Sequence, residues 1–138
     1  MTGIWIALVV LAVATVFGLV WRRRDGRLRG GTRPDRLRPA DLGPDSEFGE
    51  RATLVQFSTA FCAPCRATRR ILGEIADTVD GVAHIEIDAE AELDLVRRLN
   101  ILRTPTVLVL DSGGRIVRRA SGRPRKADVI AALGAAIP

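Results

Sequence analysis

The sequence predicts an α/β fold, a mixed central sheet with helices on both faces, preceded by one N-terminal transmembrane helix. Three observations predict it. Residues 3–21 carry no charge and are dominated by Val, Leu, Ile and Ala. Beyond residue 50, apolar runs of strand length alternate with segments of helical periodicity, the pattern of helices laid over a sheet. Where the first such strand meets the first such helix stand the chain's only two cysteines, Cys62 and Cys65.

As a helix, the nineteen residues 3–21 span roughly 28 Å, about the hydrocarbon thickness of a bilayer. Trp5 and Trp21 sit near its two ends, where interfacial indoles belong. A cleaved signal peptide is the competing reading. Ala12-Val13-Ala14 has the small-x-small form, but no charged region precedes it, and cleavage there leaves an apolar run as the new terminus. An uncleaved span is therefore expected. Arg22, Arg23, Arg24, Arg27 and Arg29 follow it directly, and positive flanks stay in the cytoplasm. The predicted location is the cell membrane, single-pass, with the remaining domain on the cytoplasmic face.

Residues 22–44 are rich in Arg, Gly and Pro, lack periodicity, and read as a basic flexible linker. Residues 22–38 hold eight Arg against Asp25 and Asp35, whereas residues 39–138 hold 13 basic and 14 acidic groups. The net charge of +5 thus belongs to one short segment. Its arginines fit a topology determinant and attraction to anionic headgroups. The rest is close to neutral and offers no sign of a nucleic-acid surface.

The domain is expected over residues 45–138. Residues 37–42 are read as a short first strand and 45–49 as the remnant of a helix. Ala52–Ser58 is a strand, and residues 62–79 a helix with Ile71, Leu72, Ile75 and Val79 at helical spacing. Val82–Asp88 alternates as a half-buried strand, and residues 91–99 are helical with Leu95 and Leu99 inward. Residues 106–110 form a continuous apolar, hence central, strand. A turn over 111–114 leads to an amphipathic edge strand, 115–121, and a closing helix, 126–137.

Two cysteines cannot build a disulfide framework. With His84, the only histidine, they make three zinc ligands where a structural site needs four. A c-type haem needs His after the second cysteine, and that position is Arg66. What remains is redox use. A helix N-terminus leaves N–H groups unpaired and carries roughly half a positive charge, which favours the reactive thiolate. Pro64 just inside the helix removes no hydrogen bond the helix needs.

Phe61-Cys62-Ala63-Pro64-Cys65-Arg66 after a strand, Ile87-Asp88 ending the next, Thr104-Pro105-Thr106 before a third, Gly113-Gly114 and Gly122 occur in an order that resembles the thioredoxin family from about residue 52 to 137. The resemblance implies a thioredoxin-like fold and a thiol–disulfide oxidoreductase needing no cofactor or metal. Cys62 is then the attacking thiolate and Cys65 the resolving thiol. It also implies a cis Thr104–Pro105 peptide, with Phe61, Thr104 and Pro105 forming the substrate-binding surface. Implied partners are protein disulfide or dithiol substrates and an electron-donating reductase or membrane redox partner.

Four positions depart from the family pattern. Phe61 stands where Trp is usual, and Ala63 where Gly is usual. Gln56 takes the place of a buried Asp, and His84 that of its Lys partner. Two neutral groups then replace an ion pair, and either His84 or water accepts the resolving thiol's proton. Gln56 and His84 are expected to be neighbours beneath Cys65, with His84 neutral. Two other functions remain open: the same domain facing outward, as an oxidant or a reductant of apo-cytochrome thiols, and a non-catalytic peptide-docking module.

Overall fold

The computed structural model describes residues 1–24, 29–30 and 36–138. Helix α1, Thr2–Arg24, contains the whole expected span, carries Arg22, Arg23 and Arg24 in its last turn, and buries none of its residues. It is long and apolar enough to cross a membrane, the length and composition of an anchor or a signal sequence.

Among the described residues five strands form one mixed sheet, in the order β1 (Arg29–Gly30), β5 (Ile116–Ser121), β4 (Thr106–Asp111), β2 (Ala52–Ser58), β3 (Val82–Asp88). β2 runs parallel to β3 and antiparallel to β4, and all seven of its residues are buried. Such a strand must be apolar on both faces, as Leu54-Val55-Gln56-Phe57 nearly is. Gln56 is the exception, and it marks the site.

Alternation along β2 divides the core. Ala52 and Leu54 join Val107 and Val109 beneath helices α2 (Ala63–Thr78) and α4 (Lys126–Ala136), against Leu72, Ile75, Val129 and Leu133. Val55 and Phe57 face the other way, with Leu108 and Leu110, towards helix α3 (Leu93–Arg98) and its flanks Leu99 and Ile101.

The second face is closed partly by residues expected to lie in the linker or in a first strand. Residues 37–42 form no strand. Pro39–Leu42 is a single 3-10 turn, and residues 45–49 are turn and irregular backbone in place of the expected helix remnant. Pro39 offers no N–H to a ladder, and the apolar residues on either side fill the core instead. Leu37 is 1% exposed, Leu42 is also buried, and Phe48 packs beside them. Leu37 N–H donates to Gly114 O at 2.9 Å, and Asp41 meets Arg98 of α3 at 3.4 Å. The Arg38 N–H on Asp41 holds that carboxyl below the usual range, assisted by Arg98 and opposed by burial.

β1 was not foreseen. It pairs antiparallel with β5, Arg29 opposite Arg119 and Gly30 opposite Arg118, so β5 is not wholly an edge. The remainder of the expected linker, residues 25–28 and 31–35, lies outside the described residues.

Candidate active site

β2 delivers the chain to the site. It ends at Ser58, and α2 opens at Ala63 with Cys62 as its N-cap and Pro64 in the first turn. Cys62 and Cys65 form a disulfide with Cα atoms 5.2 Å apart. The two sulfurs are unequal. Cys62 is half-buried and its Sγ accepts the Cys65 N–H at 3.2 Å, one of the donors a helix start leaves free. Cys65 is 1% exposed, beneath the first turn.

The residues expected to form a surface differ in exposure. Phe61 is fully exposed, and Ala63 and Pro64 are exposed beside it. The Thr104–Pro105 peptide is cis. Thr106 pairs with Phe57 across the sheet, which brings the preceding loop against the β2–α2 connection. There Thr104 Oγ1 lies 3.4 Å from Thr59 Oγ1, and the carbonyl of buried Pro105 accepts the Gly122 N–H at 2.7 Å.

Beneath Cys65, Gln56 is wholly buried and fully bonded. Its Nε2 donates to Cys65 O at 2.8 Å and to Ser58 Oγ at 3.1 Å, and its Oε1 lies 3.1 Å from His84 Nε2. A backbone carbonyl only accepts, so the amide nitrogen must face Cys65 and the oxygen must face the ring. His84 Nε2 is therefore the donor, and the lone pair of the neutral ring sits on Nδ1. Burial lowers the His84 pKa, while Glu86 pulls it up and Arg69 pushes it down. The expected Gln56–His84 contact is present.

Sequence reasoning missed the outer half of this network. Glu86, two residues beyond His84, forms a two-pronged ion pair with Arg69 of α2. That guanidinium, with help from Ser58, holds the Glu86 carboxyl below its usual value against the effect of burial. The signal was available. Gln56 and Ser58 on β2, and His84 and Glu86 on the adjacent parallel β3, fall on the sheet face that α2 covers, and Arg69 stands one turn after Cys65. Among the described residues no group of three or more His, Cys, Asp or Glu side chains is arranged to hold a metal ion.

The thioredoxin family model matches residues 46–135, the whole of this arrangement. The chain belongs to the thioredoxin family. A thioredoxin of Alicyclobacillus acidocaldarius subsp. acidocaldarius is 31% identical to it over 86 residues, 62% of this chain and 81% of that protein. Thioredoxin-2 of Pyricularia oryzae is 24% identical over 82 residues, covering 59% of this chain and 48% of that protein. The chain thus spans about half the length of the latter relative. The reduced thioredoxin pre-protein of Schistosoma mansoni shares the fold, with a TM-score of 0.55 at 20% identity over 64% of this chain and 82% of that one. In thioredoxin terms, Cys62 and Cys65 are the CxxC pair, and α1 lies outside the matched residues.

Proposed function

We propose that this chain is a membrane-anchored thioredoxin that exchanges disulfides through Cys62 and Cys65, with its catalytic domain, residues 45–138 together with the core residues Leu37 and Leu42, on the cytoplasmic side. The observation that carries the reading is the asymmetry of the pair: a half-buried Cys62 sulfur taking a helix N–H, joined to a buried Cys65. In the reduced protein the Cys62 thiolate attacks one sulfur of a substrate disulfide. The substrate S–S bond breaks, a mixed disulfide forms, and the released sulfur takes up a proton. Cys65 then loses its proton and attacks the Cys62 sulfur, which frees the second substrate thiol and leaves the Cys62–Cys65 disulfide. Two electrons pass to the substrate, and a reductase or membrane redox partner returns them.

Phe61 and Thr104 form the docking surface for an extended substrate strand, and buried Pro105 adjoins Thr104 behind it. Gln56 positions the first turn of α2 through Cys65 O. His84 is already a donor towards Gln56, and an amide does not relay a proton by titrating, so the Cys65 proton leaves to water.

Reduction of insulin disulfides by the full chain, abolished in Cys62→Ser, is the expected result. Binding of substrate without turnover by the native protein would instead make the fold a docking module. A membrane-impermeant thiol reagent should label reduced Cys62 in lysed but not intact cells. Equal labelling in both would reverse the orientation and favour the outward-facing oxidant or cytochrome-thiol reductant.

A further inference from the structure

The near-neutrality of residues 39–138 conceals a separation of charge. Between residues 74 and 94 the chain carries eight carboxylates and no Lys or Arg, and this stretch contains β3, one edge of the sheet. Between residues 112 and 126 it carries six basic groups and no acid, and this stretch contains β5. β4 and β2 lie between them, so the two strands stand about 14 Å apart at ordinary strand spacing.

The basic side is poorly compensated. Arg115, Arg123 and Arg125 are exposed, and Arg118 and Arg119 half-buried. Lys126 pairs with Glu74, but among the described residues none of the five arginines makes an ion pair. The backbone adds to the excess. Arg36 bridges antiparallel to Arg115. Like charges directly opposite one another are unfavourable without a counter-anion.

Position supplies the anion. Arg24 ends α1 and Arg29 begins β1, with four residues between them. Fully extended, that stretch covers at most about 18 Å. With α1 across a bilayer, β1 and the adjacent β5 therefore cannot leave the headgroup neighbourhood. We propose that the β5 edge, through Arg115, Arg118, Arg119, Arg123 and Arg125, docks on anionic phospholipid headgroups and orients the domain with its acidic β3 edge outward. The proposal rests on the anchoring role of α1 and deepens it. The bilayer acts on the folded domain itself as well as on the arginines flanking the helix.

The test uses the full chain in nanodiscs of phosphatidylcholine alone or mixed with phosphatidylglycerol. Phenylglyoxal modification is read at each arginine by mass spectrometry. Each arginine at an anionic surface favours the docked state about fivefold, so Arg115, Arg119, Arg123 and Arg125 should react at least that much more slowly in the mixed discs. Arg66, Arg70 and Arg97, on α2 and α3, should be unchanged. Salt at about 0.5 M should erase the difference. Replacing Arg118, Arg119, Arg123 and Arg125 together by Gln should restore Arg115 reactivity while insulin reduction persists.

A chain that does not co-purify with phosphatidylcholine discs loses the tether, which overturns anchoring and docking together. Co-purification with equal reactivity in both discs, or equal shielding of the control arginines, overturns docking alone. Shielding by a short RNA but not by phosphatidylglycerol would reassign the edge to nucleic acid. Shielding that needs only two chains per neutral disc would reassign it to the acidic edge of a second copy.

Discussion

Replacing Gln56 by Asp should invert the pH dependence of folding stability. In the native chain burial holds the His84 pKa down, and the opposed effects of Glu86 and Arg69 are secondary. A base whose folded pKa lies below its unfolded value, about 6.5, contributes stability that is complete above that value. It is lost as pH falls from there towards the folded value. One proton limits the slope to about 1.4 kcal/mol per pH unit, and solvent at the half-buried ring keeps the loss below that limit.

Asp is one methylene shorter than Gln, so the present 3.1 Å contact with His84 opens to about 4.5 Å. Opposite charges at that separation attract by about 3.7 kcal/mol in an effective dielectric of about 20. Desolvating the carboxylate and the imidazolium costs several kcal/mol each. Cys65 O and Ser58 Oγ also lose their amide donor, about 1 kcal/mol apiece. The variant should be less stable by about 2–4 kcal/mol, with a His84 pKa now above its unfolded value. Its contribution is then complete at low pH and lost as pH rises through the folded pKa. Urea unfolding of the full chain in detergent, from about pH 5.5 to 8, reads both slopes. NMR titration needs no assignment, because His84 is the only histidine. Resolution of the mixed disulfide should also quicken, because a carboxylate then lies beneath Cys65 to take its proton. Slopes of one sign in both proteins, or a native ring titrating above 6.5, would refute the reasoning.

Cys65→Ser should trap a covalent adduct of Cys62 with substrate on a non-reducing gel and Cys62→Ser none; the opposite pattern would exchange their roles. Leu37→Ala should lower unfolding free energy by about 2–4 kcal/mol, as for any core leucine, whereas a loss below about 0.5 kcal/mol would return residue 37 to the linker. Gly114 has φ of +82°, and an added Cβ would meet Leu37 O at 2.1 Å. Gly114→Ala should therefore cost more than about 2 kcal/mol in the same assay, and a neutral effect would mean that Leu37 does not pack there.

The sheet and its cysteine pair were legible because they are written locally. Ala52–Ser58 and Val82–Asp88 have the expected bounds, and α2 falls within the expected 62–79. Gln56 announced itself as a polar residue inside an apolar strand. The failures lie where distant partners decide. Residues 37–42 look strand-like, but Leu37 is fixed by Gly114 and Asp41 by Arg98, far along the chain. Nothing in Arg29-Gly30 forecasts pairing, because a two-residue strand has no period and its stability comes from β5. The segregation of charge was hidden for a simpler reason. Summing along the chain cancels the acids of 74–94 against the bases of 112–126, and only the strand order shows that they occupy opposite sides.

If α1 anchors the chain as proposed, the pairing of β1 would also set how the enzyme meets its substrates. A free linker over the 23 residues 22–44 would let the domain roam to about 80 Å from the bilayer. Stitching residues 29–30 into the sheet leaves four residues between α1 and β1. With α1 inserted, the reactive sulfur is confined to a thin shell at the surface and searches in two dimensions. Disulfides of neighbouring membrane proteins share that shell and would meet the sulfur more often. A disulfide on a freely diffusing protein gains nothing from that confinement and must come to the membrane. Lengthening residues 25–28 with a flexible insert would relax this bias, slowing exchange with membrane-bound targets while leaving insulin reduction unchanged.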